Sequence, residues 1–454
     1  MNNNLKINTM NYIILSNFGL LLFVLSIPGT IALRNTLAGL LLIILVTTWI
    51  RSPNSIKPLF KNKNFLSIIF ILLTLCIYIF FHSIFIADEP GWSLSQYRTQ
   101  WIYPMLYFTM GIFLAFLASL DKYYNKGTLV TLLFFSLFAH VLYLDLTSVY
   151  QYIETGQLLI RYGGLTKSAV LANYITNILS SMIIVEVIYR LKMKKRIIQL
   201  NWYFLFLAFL LCILSSIIEG MRFGAISLFF MSVTGGVFFI IDNSKFNVKI
   251  KSIIILIFLI ICSLPLLHNA QNDARWSSLI ETIPIALDTE NNSYWMGDNT
   301  KIPSLANGEI VKPSNYMRIA WASKAVEYIS NDIFGIGYGK NIFGHAIEKY
   351  EEAPESVRGS HSHSAIIDFT IGVGLLGLVI WLSFIIKIIL SSAKLFINSG
   401  NYFALLSVFL TSGFMLRSIV DSNMRDHMFK QFFLILGIAL TLSIYENNKN
   451  KNIS

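Results

Sequence analysis

The sequence predicts an all-α polytopic membrane protein with about twelve transmembrane helices and one large outward loop between the ninth and tenth. Three observations predict it. Hydrophobic residues make up 55% of the chain, and they gather in runs of about 17 to 22, the length of helix that crosses a bilayer. These runs are apolar all round, whereas a soluble core breaks them with polar residues at helical period. A single long hydrophilic segment, 269–362, stands out against short connections elsewhere.

The spans fall at roughly 11–27, 31–50, 65–86, 102–119, 127–148, 168–188, 201–218, 223–241, 252–268, 371–390, 401–420 and 428–444. The first lacks a small-residue cleavage site and is expected to be a retained anchor. Arg34, near one end of the second, can snorkel to the interface. Positive charge concentrates in three connections: 51–64 (Arg51, Lys57, Lys61, Lys63), 189–200 (Arg190, Lys192, Lys194, Lys195, Arg196) and 242–251 (Lys245, Lys249, Lys251). With twelve spans these share one side with both termini and with Lys449 and Lys451, and the positive-inside rule makes that side cytoplasmic. The net charge of +11 is therefore a topology signal. Its basic residues are scattered over separate loops, so nucleic-acid binding is not implied.

The chain then divides into nine helices over 1–268, an outward loop over 269–362, and three helices with a cytoplasmic tail over 363–454. The loop holds twelve acidic against eight basic residues, in keeping with an outward location. Cys76, Cys212 and Cys262 lie inside apolar spans and read as small buried hydrophobes. No cysteine or histidine spacing has the form of a metal site, so no metal is expected.

Within the loop, 315–330 places Ile319, Ala322, Val326 and Ile329 along one helical face. That predicts an amphipathic helix on the bundle surface or in the interface, with Ser314 as N-cap. Residues 277–312, rich in Asn, Ser, Asp and Gly, are expected to be irregular. The segment Phe334-Gly335-Ile336-Gly337-Tyr338-Gly339-Lys340 has glycine at every second position, which permits tight turns and close backbone approach. A loop-shaping role is the first reading and substrate contact a secondary one. A dinucleotide fingerprint is excluded, because the segment follows a helix rather than a strand.

Several charged residues stand at the membrane edge, where a cation needs water or an anion. Arg222, in the short turn after Glu219, either pairs with that carboxylate or turns its planar fork toward a phosphate. Arg318 is either a solvated first-turn residue or a second anion ligand. Arg275 reads as an interfacial anchor. Arg425 is placed to form an ion-pair cluster with Asp421, Asp426 and His427. His363, one of four histidines in or beside the loop with His268, His345 and His361, is a polar residue at a helix start or a proton acceptor. On a shared helix, His361 and His363 would point about 200° apart and serve different roles.

The pattern His363-Ser364-x(9)-Gly374-x-x-Gly377 resembles the signature of bacterial O-antigen ligases, within the O-antigen ligase and polymerase superfamily. The twelve spans, cytoplasmic termini and large periplasmic loop are similar to that family's architecture. Arg318-x-x-Trp321 followed by Gly335–Gly339 resembles its loop helix and glycine turn. The specific motifs occupy about 215–226 and 315–380. The family usually has Ser or Thr before the first arginine; here Met221 stands there, although Gly224-Ala225 fits.

The resemblance implies transfer of a polysaccharide from undecaprenyl diphosphate to a sugar of lipid A-core, at the periplasmic face of the bacterial inner membrane, without metal or other cofactor. It makes Arg222 and Arg318 the ligands of the diphosphate and His363 the general base for an inverting displacement. Arg275, Lys340, His361 and Arg425 are further candidates for the site. Two alternatives stay open: a polymerase joining lipid-linked repeat units, and a transporter or flippase of lipid-linked sugar. Transporters of this size usually have related halves and a long central cytoplasmic connection, which this chain lacks.

Overall fold

The computed structural model describes residues 2–51, 57–120, 125–241, 248–297, 302–351, 353 and 355–451. Lys245, in the third basic connection, lies outside the described residues. The described part is 82% helical and has no strand, which settles the class as all-α.

The helices in chain order begin with α1 (Asn2–Val24), α2 (Ile31–Arg51), α3 (Lys57–Lys61), α4 (Lys63–Phe85), α5 (Pro90–Gln96) and α6 (Tyr103–Leu120). There follow α7 (Lys126–Thr155), α8 (Ala169–Met193), α9 (Trp202–Glu219), α10 (Arg222–Ile241), α11 (Val248–Asn272) and α12 (Ala274–Ser277). The rest are α13 (Leu279–Leu287), α14 (Pro313–Asn331), α15 (Ile342–Glu351), α16 (Ala365–Ser399), α17 (Tyr402–Val420) and α18 (Asp426–Lys451). Among the described residues, ten segments are long and apolar enough to cross a membrane by length and composition. Two shorter apolar helices, Ile13–Val24 and Ile255–Gln271, lie where the sequence places its first and ninth spans. This is a multi-pass membrane protein.

Local chemistry sets many helix ends. Asn62, Asn125, Asn201 and Asn401 each accept a backbone N–H of the first turn on their side-chain oxygen, satisfying a donor that the helix itself leaves open. Gly156, Gly220 and Gly400 close α7, α9 and α17's predecessor α16 in the left-handed conformation. Inside the bundle α6 crosses α18 at two glycines: a Cβ on Gly111 would stand 2.2 Å from the Leu434 carbonyl oxygen, and one on Gly437 2.4 Å from that of Phe108. Small residues at a crossing let helix backbones approach where no hydrophobic force drives them together. Beside this crossing Trp101, Phe369, Trp381, Phe429 and Phe433 form a buried aromatic core.

The loop has a core of its own. Tyr294, Trp295, Tyr316, Trp321, Tyr328 and Phe343 are buried together, and this corrects three expectations. Residues 277–312 are not simply irregular: they contain α13 and a 3-10 turn over Ser293–Met296. The turn is held because Trp295 Nε1 donates to Thr289 O at 3.0 Å and, from α14, Tyr316 Oη donates to Asn292 O at 3.0 Å; the second bond is to a partner distant in sequence. The cap of α14 is Lys312, with Pro313 at the first helical position and Ser314 inside the helix. Finally, α14 buries Asn315, Tyr316, Ala320, Trp321, Ala325 and Tyr328, while Val326 is 67% exposed. Ile319 and Ile329 of the expected stripe do pack at the edge of this core, but its centre goes to Tyr and Trp, whose large rings an aromatic cluster rewards for burial.

Two glycine motifs lock the loop onto the bundle. Ile336 N donates to Ile371 O at 3.0 Å, Gly337 N to Gly372 O at 2.9 Å and Leu375 N to Ile333 O at 3.0 Å. To offer these groups α16 breaks at Gly374, whose φ of 71° and ψ of 178° belong to a region open essentially to glycine alone. The loop-shaping reading of the 335–339 glycines thus has a structural basis. The helix itself starts six residues earlier than the span predicted from hydropathy, at Ala365 rather than 371, with Ser364 as N-cap.

Candidate functional site

The residues just before α16 set the site's centre. His363 has φ of 59°, so the chain there is a turn and not a helix. As a result His361 and His363 do not diverge: their ring centroids lie 4.4 Å apart with planes at 63°. Trp321 of α14 stacks on the opposite side, 5.7 Å from the His363 ring and tilted 20°. Trp321 is itself fixed, since its Nε1 donates to Trp295 O at 2.9 Å. Ser364 accepts from Ile367 N at 3.4 Å and donates to Ser418 O at 3.3 Å, anchoring the turn to both α16 and α17.

Both imidazoles are held in the neutral form at neutral pH. Burial, then the charges of Arg425 and of its neighbours, pushes His361 down to about 3. Burial and the nearby Arg318 charge push His363 down to about 4, against the pull of Asp421. Each ring can therefore accept a proton.

Arg318 lies one turn before Trp321 on α14. Among the described residues its Nε is buried with no hydrogen-bond partner, and no carboxylate forms an ion pair with it. Burial, reinforced by Arg275 and Arg161 and opposed by Asp421, holds its pKa below the ordinary value. A guanidinium so placed is destabilised when the site is empty and would gain from an anion.

Arg222 reaches the same region from the start of α10. Its Nη2 donates to Asn315 Oδ1 at 2.8 Å and its Nη1 to Arg275 O at 3.4 Å, while its Nε is 3.9 Å from Asp273. Trp276 lies beneath the guanidinium at 5.7 Å. Asn315 is three residues before Arg318, so α14 supports one arginine and carries the other. Glu219 is not the partner of Arg222. It turns into the bundle, where Asn173 Nδ2 and Thr176 Oγ1 donate to it at 2.7 and 2.6 Å, because two donors on α8 face it there.

Arg275, read as an anchor, donates from Nε to both oxygens of Asp273 at 2.8 Å. With Arg161, Gly220, His268 and Asn269 these two line an open cavity of about 190 Å³. Arg425 does not join Asp421 and Asp426 in one cluster. It donates to Asn341 Oδ1 at 2.9 Å and meets His361 Nε2 at 3.3 Å. Asp421 is taken by Arg417, from Nε at 2.8 Å, and Asp426 by Lys340 at 2.8 Å. Lys340 and Arg425, with Gln100, Tyr338, Asp368 and Ser422, border a second, narrow cleft of about 30 Å³ beside the histidines.

All seven candidate residues thus lie at one end of the bundle, ordered from Arg222 and Arg275 through Arg318 and His363 to His361, Arg425 and Lys340. Two residues of this end escaped sequence reading. Arg161 is a left-handed residue whose N–H bonds Ile218 O at 2.8 Å; nothing in its local sequence sets it apart. Arg417 is 3% exposed within α17 and bonds Asn173 and Val170 O besides Asp421. An arginine inside an apolar span is itself a signal, and it was there to be read. Among the described residues no group of acidic, histidine and cysteine side chains forms a metal cluster.

Neither the protein-family models nor the curated proteins include a match to this chain.

Proposed function

We propose that this protein is a membrane glycosyltransferase of the O-antigen ligase type, moving a glycan from undecaprenyl diphosphate to a sugar hydroxyl of lipid A-core. One observation carries the reading: Arg318, whose buried Nε has no hydrogen-bond partner among the described residues, acts electrostatically on a neutral histidine that can take a proton. A reaction that expels a diphosphate and deprotonates a hydroxyl needs those two groups together.

In this reading Arg318 and Arg222 hold the diphosphate, with Arg161 and Arg275 adding positive potential behind them. The acceptor hydroxyl oxygen attacks the anomeric carbon from the face opposite the leaving group. The bond from that carbon to the diphosphate oxygen breaks, its electron pair leaves with undecaprenyl diphosphate, and the hydroxyl proton passes to His363. The anomeric centre is inverted in this single step. Arginines preorganised around the leaving oxygen stabilise the charge that develops on it. Anion binding also offsets the charge that depresses His363, bringing its pKa nearer to the working pH at which a general base is most effective. His361 and Arg425 line the acceptor side, and Lys340 borders it.

The same donor chemistry serves a polymerase that joins lipid-linked repeat units, so the two are separated by product. The lipopolysaccharide of a strain lacking this protein distinguishes them. Long glycans left on undecaprenyl diphosphate with bare core at the surface support the ligase. Core bearing a single repeat unit supports the polymerase, and an unaltered pattern overturns both. For a transporter or flippase the expected result is lipid-linked glycan retained on the cytoplasmic side. Placement in the bacterial inner membrane with the site facing the periplasm belongs to the same proposal.

A further inference from the structure

Beside the glycine turn lies another cavity, of about 290 Å³, at the lower edge of the ~300–1,000 Å³ range typical of small-molecule sites. Asp88 and Glu89, the loop between α4 and α5, form one wall together with Trp92 of α5. His345 and Lys349 of α15, and Arg358 beyond it, form the other. Trp92 and His345 pack ring to ring at 4.1 Å and 33°. Trp92 can sit there only because residue 339 has no side chain: a Cβ on Gly339 would lie 2.0 Å from its Cη2. Gly339 also borders the cleft beside the histidines, so adjoining residues, Gly339 and Trp92, line the two cavities. Asp88 N donates to Ile336 O at 3.0 Å, tying this wall to the same turn.

The charges here are arranged differently from those around Arg318. Lys349 pairs with Asp88 at 2.9 Å; Arg358 pairs with Glu348 and lies 3.4 Å from Glu89; His345 Nδ1 is 3.5 Å from Glu89. Each cation already has its anion, so a charged ligand would have to displace a bonded partner and bear that cost. Hydroxyl groups need not, because a paired carboxylate keeps spare lone pairs. Burial lowers His345 despite Glu89, leaving an imidazole that donates from one nitrogen and accepts at the other. An aromatic wall beside such groups suits a ligand with C–H faces and hydroxyl edges, since the ring face is electron-rich.

The geometry points to a glycan subsite: this cavity binds an uncharged sugar unit through Trp92, His345 and the Glu89–Arg358 and Asp88–Lys349 pairs. Its ligand is a sugar of the transferred or accepting chain beyond the reacting one, an assignment that rests on the transferase reading. The binding itself does not.

The test uses the full chain in lipid nanodiscs and, as probe, neutral oligosaccharides released by mild acid from the lipid-linked glycans of the source cells. Saturation-transfer NMR should show transfer to sugar ring protons. Trp92→Ala, and separately Glu89→Gln at a half-exposed position, should each weaken binding about tenfold or more, while Arg318→Ala leaves it unchanged. No transfer to any probe overturns the subsite. So does equal binding by Trp92→Ala and Glu89→Gln, or loss only in Arg318→Ala. Glycan transfer in membranes is measured in parallel. Binding that depends on Trp92 without any transfer leaves the subsite standing and removes the transferase reading; transfer with Trp92-independent binding does the reverse.

Discussion

Gly335 approaches Gly374 so closely that a Cβ on Gly335 would stand 2.4 Å from the Gly374 nitrogen. This contact joins the turn after α14 to the break in α16, and both the histidine turn and the arginine-bearing helix depend on it. Gly335→Ala and Gly374→Ala must each shift backbone, and both residues have positive φ. We expect a loss of about 1–3 kcal/mol of stability for each, read as a lower midpoint of thermal unfolding in detergent. Wild-type midpoints for both variants would disprove the interlock.

Arg318→Ala should abolish glycan transfer while the protein still accumulates in the membrane, with a loss of roughly 10²–10³-fold or more, as for removal of a preorganised donor at a developing charge. Arg318→Lys should restore only a small part, since an ammonium lacks the planar fork. Equal activity of the lysine variant and wild type would show that charge alone suffices.

His363→Ala should also abolish transfer. Full activity of a well-expressed variant rules out its role as base. Because its pKa is depressed to about 4, the free protein keeps this imidazole neutral well below the ordinary histidine range. NMR titration should therefore place the His363 ring near that value. Removing the Arg318 charge must raise it, as must adding inorganic diphosphate. A titration at or above 6.5 in the wild-type protein contradicts the assigned environment.

Asn315→Ala tests the support of Arg222. It removes the 2.8 Å bond from Asn315 Oδ1 to the guanidinium, a hydrogen bond to a charged group worth about 1.5–3 kcal/mol. The expected result is a roughly tenfold or greater rise in the donor concentration needed for half-maximal transfer, with the protein still folded. An unchanged requirement would mean that Arg222 is positioned without α14.

Arg417→Ala breaks a largely buried pair with Asp421 and removes one of the hydrogen bonds of Asn173. Leaving one partner of a buried pair uncompensated costs about 3–5 kcal/mol, so poor accumulation in the membrane is expected. Asp421→Asn keeps a hydrogen-bond acceptor and should be milder. Normal accumulation of Arg417→Ala would show that water reaches this pair.

Much of the site was legible one residue at a time. Arg222 was conspicuous because a cation beside apolar runs needs an explanation, whereas Arg318 and His363 stood out only through the family resemblance of their motifs. Their mutual placement was not legible. Glu219, three residues away, was one of two open readings for Arg222, yet Asn173 and Thr176 hold it. His361 and His363 looked divergent on the assumption of a helix, and a single left-handed residue brings their rings together. The face of α14 was read only in part: Ile319 and Ile329 pack against the loop core, but aliphatic periodicity ignores the aromatic surface that buries Tyr316, Trp321 and Tyr328.

The sequence by itself determined that the chain is a bundle of membrane-crossing helices with one long hydrophilic connection, because bilayer thickness imposes a length that shows directly in the apolar runs. It also named most of the groups at the site, because polar residues next to such runs are few. Only the tertiary structure decided which of them meet. Arg222, Arg318 and His363 are separated by scores of residues, and each finds its neighbours through backbone bonds and packing made elsewhere, at the glycine interlock and the aromatic core of the loop. Local sequence carries no record of those distant partners, and one left-handed residue is enough to redirect a side chain.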